Sequence, residues 1–223
     1  MSDYSFSTLV VTGDDAVSFL QAQLSSDIET IELDGAAYSA WLNAKGRVIC
    51  LFKVTRRDDQ ILLRLPTDLV ETVLARMTLF RFRAKVEFSV GNTESLNENE
   101  MQLQLRDGRA EIFAEQSEAF TAHMLNLDLL DIVSVKKGCY PGQEIVARTH
   151  FRGASKRRCR LFEADATVAS GAKVSNGTRD IGEVVNAFGN LALAVVRIDA
   201  LTDTMSVGDV GLTELTLPYS PHS

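Results

Sequence analysis

Residues Lys136 to Arg148 read KKGCYPGQEIVAR and gather the chain's most reactive side chains into one short stretch. Cys139 supplies a thiol, and Lys136, Lys137 and Arg148 lie near it in sequence. Positive neighbours favour the thiolate, the form that attacks electrophiles and binds metals. Lys137 is the expected partner of that thiolate, so Cys139 and Lys137 form the candidate catalytic pair. Gly138 and Gly142 allow a left-handed backbone or a close approach to a ligand. Gln143 and Glu144 offer an amide and a carboxylate that can orient a bound group. Arg148 either contacts that group or pairs with Glu144 four residues earlier, if the segment turns helical after Gly142. The same residues also read as a tight domain-joining turn whose polar groups satisfy one another.

Such a loop must be held by a folded body, and 223 residues allow one large domain or two smaller ones. Cysteines 50, 139 and 159 are odd in number and contain no CxxC pair, which argues against a disulfide scaffold. His123, His150 and His222 show no metal-binding spacing, so no resident metal is expected. The start, MSDYSFSTLVV, has Asp3 early and no basic region, and no apolar run is long enough to span a membrane. A cytoplasmic protein is expected.

The net charge of −7 argues against wholesale nucleic-acid binding. Yet Lys136 to Arg160 holds eight basic residues against Glu144, a local +7 that leaves −14 on the remainder. That segment is a candidate phosphate or RNA contact, or a solvated basic strand face.

Strands are expected at 8–12, across a hairpin spanning 38–54 with its turn at Asn43 to Gly46, and at 61–65. Helices are expected at 16–24, capped by Asp14 or Asp15, and at 68–77. FRFRAKVEF, residues 80–88, alternates strictly and predicts a half-buried strand. VGNTESLNENE, residues 90–100, predicts a loop, and MQLQLRDGRAEIF a short strand and turn. After Gly153, short strands with turn signals predict a small antiparallel β-barrel, with Asn176-Gly177 as its best hairpin turn.

Residues 120–158, with KGCYPGQEIVAR and the trailing FRGASKRR, resemble the signature region of the YgfZ family of folate-binding proteins. VTGDDAVSFLQAQLSSDI and WLNAKGRV are similar to that family's first strand–helix and hairpin motifs. The resemblance implies an α+β chain: a T-protein-like folate-binding domain with a shortened middle over 1–155, then an antiparallel β-barrel over 156–223. It implies tetrahydrofolate as ligand, held by Phe6, Gly142, Gln143, Glu144 and Arg148. It further implies iron–sulfur client enzymes as partners, an effect on tRNA modification, and Cys139 as the residue on which activity depends.

The chain departs from the family at several points. Cys50 and Leu51 stand where the related aminomethyltransferase has an aspartate pair, and neither can position or deprotonate an amine. The aromatic positions associated with folate fall on Phe6, which can stack on a pterin, and on Glu100, which cannot. Only a short acidic stretch joins Phe88 to Leu105, where relatives carry a whole α/β segment. The leading expectation is a folate-binding accessory factor for iron–sulfur enzymes. An RNA-binding module, a folate-dependent one-carbon transferase and a protein scaffold are the alternatives.

Overall fold

The computed structural model describes residues 4–153 and 155–221. Asp3 and His222, cited above, lie outside the described residues.

The N-terminal body is built on one antiparallel sheet. Its strands are β1 (Ser5–Thr12), β2 (Ala36–Leu42), β3 (Val48–Arg56), β4 (Gln60–Pro66) and β5 (Glu87–Ser95), in the spatial order β2-β3-β4-β1-β5. Alternating apolar residues on β1, β3 and β4 turn Leu9, Val11, Phe52 and Leu63 to one face. There they pack against α1 (Ala16–Gln23) through Leu20 and α2 (Val70–Phe80) through Val73 and Met77. The opposite face presents Ala40, Leu42, Val48 and Leu51 to the irregular segment 105–140, and Val146 and the barrel's Cys159, Leu161 and Val185 complete that layer. Burying both faces is what holds the two halves of the chain together.

The barrel closes in the order β10-β11-β6-β9-β8-β7. Its strands are β6 (Arg157–Ala164), β7 (Lys173–Ser175), β8 (Asp180–Phe188), β9 (Leu191–Arg197), β10 (Met205–Val207) and β11 (Val210–Leu215). Phe162, Val174, Ile181, Val184 and Val196 fill it. Asn176-Gly177 lies in the β7–β8 turn, with Gly177 at φ 85°.

Three expectations fail between residues 80 and 106: the strand over 80–88, the loop over 90–100 and the short strand at MQLQL, which is helical. FRFRAKVEF is not a strand: α2 runs on to Phe80, and the chain turns at 81–83 before β5 begins at Glu87. Phe80 sits edge-on to Trp41, ring centroids 6.1 Å apart, and this contact extends the helix. Phe82 takes φ 45° and is 86 % exposed, so the alternation there was coincidental. The polar stretch after it is a strand because the edge of β1 needs a partner, from Ser5 opposite Ser95 to Thr12 opposite Glu87. Most of its side chains are exposed, so no apolar pattern marks it. It leads into α3 (Glu98–Arg106), started by a capping box in which the Asn97 side chain accepts from the Glu100 amide and Glu100 accepts from the Asn97 amide. Glu100 is therefore a helix-capping residue.

Candidate functional site

The Cys139 loop is braced from three sides. The Ser134 hydroxyl accepts from the amides of Lys136 and Lys137, each at 3.2 Å, and the Tyr140 hydroxyl donates to the Ser134 carbonyl at 2.7 Å. The Gln143 amide nitrogen donates to the Lys137 carbonyl at 3.1 Å and to that of Gly138 at 3.5 Å. Tyr140 is buried, anchoring the loop, while Cys139 stays exposed at its tip. Gln143 therefore closes the loop with its own amide. Helix α4 (Gln143–Arg152) follows at once, with Gly142 as its left-handed N-cap at φ 78°. The alternative reading, a turn whose polar groups satisfy one another, describes Gln143, Ser134 and Tyr140 correctly but not Cys139.

Lys137 departs from its expected role. Its ammonium donates to the carbonyls of Gln21, Leu24 and Ser26 at 2.6, 2.7 and 2.8 Å. These are orphan acceptors at and just beyond the C-terminal end of α1. All three donors are occupied, so none is left for the Cys139 thiolate. Burial pushes the Lys137 ammonium down to about 8, against the opposing pull of Asp27 and Glu29. Lys137 positions the loop against α1; it is not the thiol's partner.

Gly142 behaves as its backbone freedom allows, but the approach it permits is to protein. A Cβ there would lie 2.5 Å from the Asn43 carbonyl oxygen and 3.0 Å from the Gly46 Cα. The β2–β3 hairpin tip thus presses directly on the start of α4. Asn43 shapes that tip, its side-chain oxygen accepting from the amides of Lys45 and Arg47. Asn43 and Gly46 were legible as a turn; their pairing with Gly142 carries no signal in the sequence. Glu144 and Arg148 lie exposed on α4 and form no ion pair among the described residues.

Phe6 also departs from expectation. It is 1 % exposed on β1, and the Arg64 guanidinium covers its ring at 4.4 Å. A ring already covered by a cation offers no open face to a pterin. Cys50 is fully buried on β3, and burial raises its thiol well above the ordinary range.

The basic segment is smaller on the surface than in the sequence. Arg158 is buried in a bidentate pair with Asp128, and Arg160 in a pair with Glu214 at 2.9 Å. With Lys137 tied to α1, five of the eight cations stay exposed: Lys136, Arg148, Arg152, Lys156 and Arg157. Among the described residues, no cluster of three or more His, Cys, Asp or Glu side chains could hold a metal. Nor is any helix among them long and apolar enough to cross a membrane.

Sequence reasoning missed Glu111, a buried carboxylate where the sheet meets the barrel. Burial lifts it from 4.5 to about 7, with Arg64, the Gln104 amide at 2.8 Å and Arg109 pulling back. The native protein therefore holds a proton that the unfolded chain releases between pH 4.5 and 7, and stability falls as pH rises through that window. Glu111→Gln keeps an acceptor for Gln104 and removes the charge. It is expected to flatten that fall and to stabilise the protein by about 2–3 kcal/mol at pH 8. Urea unfolding at acid and alkaline pH checks this, and a variant with the wild-type pH slope would refute it.

This sheet-and-barrel arrangement is the glycine-cleavage T-protein fold. The aminomethyltransferase T of the glycine cleavage system from Bartonella henselae superposes with a TM-score of 0.72 over 96 % of this chain and 83 % of that one, at 13 % identity. Residues 156–219 match the family model of the CAF17 C-terminal β-barrel domain. At the level of sequence, the chain is similar to YgfZ proteins over most of its length. It is 22 % identical to the tRNA-modifying protein YgfZ of Vibrio atlanticus, over 93 % of this chain and 81 % of that one. It is 24 % identical to YgfZ of Aliivibrio fischeri, over 99 % and 91 %. The Vibrio alignment runs over 268 positions, more than this chain's 223 residues, so that relative carries residues missing here. The mitochondrial iron–sulfur cluster assembly factor IBA57 homologue of Aspergillus fumigatus is 28 % identical over 47 % of this chain and 28 % of its own length.

Proposed function

We propose that this protein is an accessory factor in the assembly or maintenance of iron–sulfur enzymes, acting through Cys139 and affecting tRNA modification by way of those clients. The observation that carries the reading is the contrast among its cysteines. Cys50 and Cys159 are buried, and burial pushes the Cys159 thiol up to about 12. Cys139 is exposed on a loop fixed by Ser134, Lys137, Tyr140 and Gln143. The names of the similar YgfZ and IBA57 proteins support the same role. One thiolate cannot hold a cluster, which takes about four ligands. It can serve as a transient ligand for iron while the client supplies the rest.

Alkylation of the folded protein with iodoacetamide is expected to modify Cys139 alone. In a strain lacking the gene, Cys139→Ser is expected to fail to restore the activity of iron–sulfur enzymes, while Cys159→Ser restores it. Full complementation by Cys139→Ser would overturn the proposal and favour a scaffold that only binds protein.

Tetrahydrofolate, implied by the family resemblance, does not fit at Phe6 with Arg64 over the ring, and no step is assigned to it. Calorimetric titration is expected to show no saturable binding that Phe6→Ala weakens. Saturable binding lost in that variant would mean that Arg64 swings aside to admit the ligand. The exposed Lys136, Arg148, Arg152, Lys156 and Arg157 leave a weak RNA contact as the second reading, testable by the salt dependence of binding.

A further inference from the structure

We propose that the open outer edge of β2 docks an extended, basic segment of a partner protein, which joins the sheet as an added strand. β2 is an edge strand of the five-stranded sheet. The Ala40 amide donates to the Ser25 hydroxyl and its carbonyl accepts from the Ser25 amide, both at 2.9 Å. Ala40 therefore turns its main-chain groups away from β3, and in an antiparallel ladder the same orientation recurs at every second residue, at Tyr38 and Ala36.

The chain's own cover stops short of those two. Leu24 bridges Trp41, and the Ser26 amide donates to the Ser39 hydroxyl at 3.0 Å. Beyond Ser26 the chain departs, and the outward N–H and C=O groups of Tyr38 and Ala36 have no hydrogen-bond partner among the described residues. Unpaired edge groups of this kind are a template for strand addition.

They open into a cleft of about 850 Å³ between residues 26–32 and 128–136. Its rim fixes the chemistry of the occupant. Asp27, Glu32 and Asp131 line it, against Lys136 and His150, while the Asp128 charge is taken up by Arg158. Nucleic acid is repelled by this lining, and so is the acidic edge of a second copy. A lysine- or arginine-rich strand matches it, with Ile31, Val133 and Val135 receiving its apolar side chains. Ser134 and Lys136 also line the cleft, so a docked segment lies beside the Cys139 loop. The proposal stands whatever chemistry Cys139 performs.

The test uses the intact protein and a synthetic peptide of alternating lysine and valine. Saturable binding by calorimetry is expected, with slowed hydrogen exchange at the Ala36 and Tyr38 amides. N-methylation of alternate peptide residues removes the donors but keeps the charge, and it is expected to weaken binding by about tenfold or more. Glu32→Lys, at an exposed position, is expected to weaken binding with the fold intact. Absence of binding, or binding indifferent to N-methylation with no protection at Ala36 and Tyr38, overturns the proposal. Protection of the same amides by self-association alone would identify a second copy as the occupant and also overturn it.

Discussion

Gly142→Ala is expected to destabilise the protein by about 2–4 kcal/mol, while Gly138→Ala, in the same loop, changes stability by less than about 0.5 kcal/mol. Gly142 sits at φ 78°, where a side chain costs about 1 kcal/mol. Its new Cβ would stand 2.5 Å from the Asn43 carbonyl oxygen and 3.1 Å from the Gly46 amide nitrogen, both main-chain atoms with little freedom to yield. Gly46 is itself closely packed, since a Cβ on that residue would be 3.0 Å from the Ile145 side chain. Gly138 lacks the left-handed backbone and has nothing within 4 Å of a Cβ. Thermal unfolding of the two variants measures the contrast, and alkylation of Cys139 reports whether the loop has moved with the hairpin tip. Equal effects at the two glycines would show that the hairpin contact does not hold the loop.

That contrast marks where the sequence was readable. The Cys139 stretch stood out by composition, and its glycines, its following helix and the barrel beyond it follow from local rules. Residue types that act at a distance did not stand out. Lys137 binds three carbonyls more than 110 positions earlier, and main-chain acceptors leave no trace in the residues around them. Phe6 looked like an available ring because nothing near it in sequence announces Arg64 above it. Residues 80–95 misled for a different reason: alternation is a weak signal when one phenylalanine ends a helix and the next is exposed, and β5 is a polar strand recruited by β1. Helix α3 was missed: Asn97 and Glu100 have capping-box spacing, but the low apolar content of 90–100 pointed to a loop and MQLQL to a strand.

The basic segment shows the same limit and leads to the second large effect. Asp128→Ala is expected to cost about 3–5 kcal/mol, because it takes the bidentate carboxylate from a buried guanidinium. Arg158 on β6 donates to both Asp128 oxygens, at 2.6 and 3.0 Å, and to the His123 carbonyl at 3.0 Å. The side chains of Arg158 and Asp128 are 3 % and 10 % exposed, so the pair is largely withdrawn from water. His123 gives no relief: burial holds its imidazole below the ordinary range, with Arg158 adding to that and Asp128 opposing it. Neutral histidine supplies no negative charge in place of the lost carboxylate. The pair joins the barrel to the segment before the Cys139 loop, so its loss should also loosen that loop. Arg158→Met together with Asp128→Leu removes both charges and is expected to recover most of the stability, as apolar replacements of buried ion pairs do. Denaturant unfolding of the two single variants and the double variant measures the coupling. If Asp128→Ala were near neutral, or if the double variant merely added the two single losses, Arg158 would not depend on Asp128, and its removal from the exposed basic surface would need another cause.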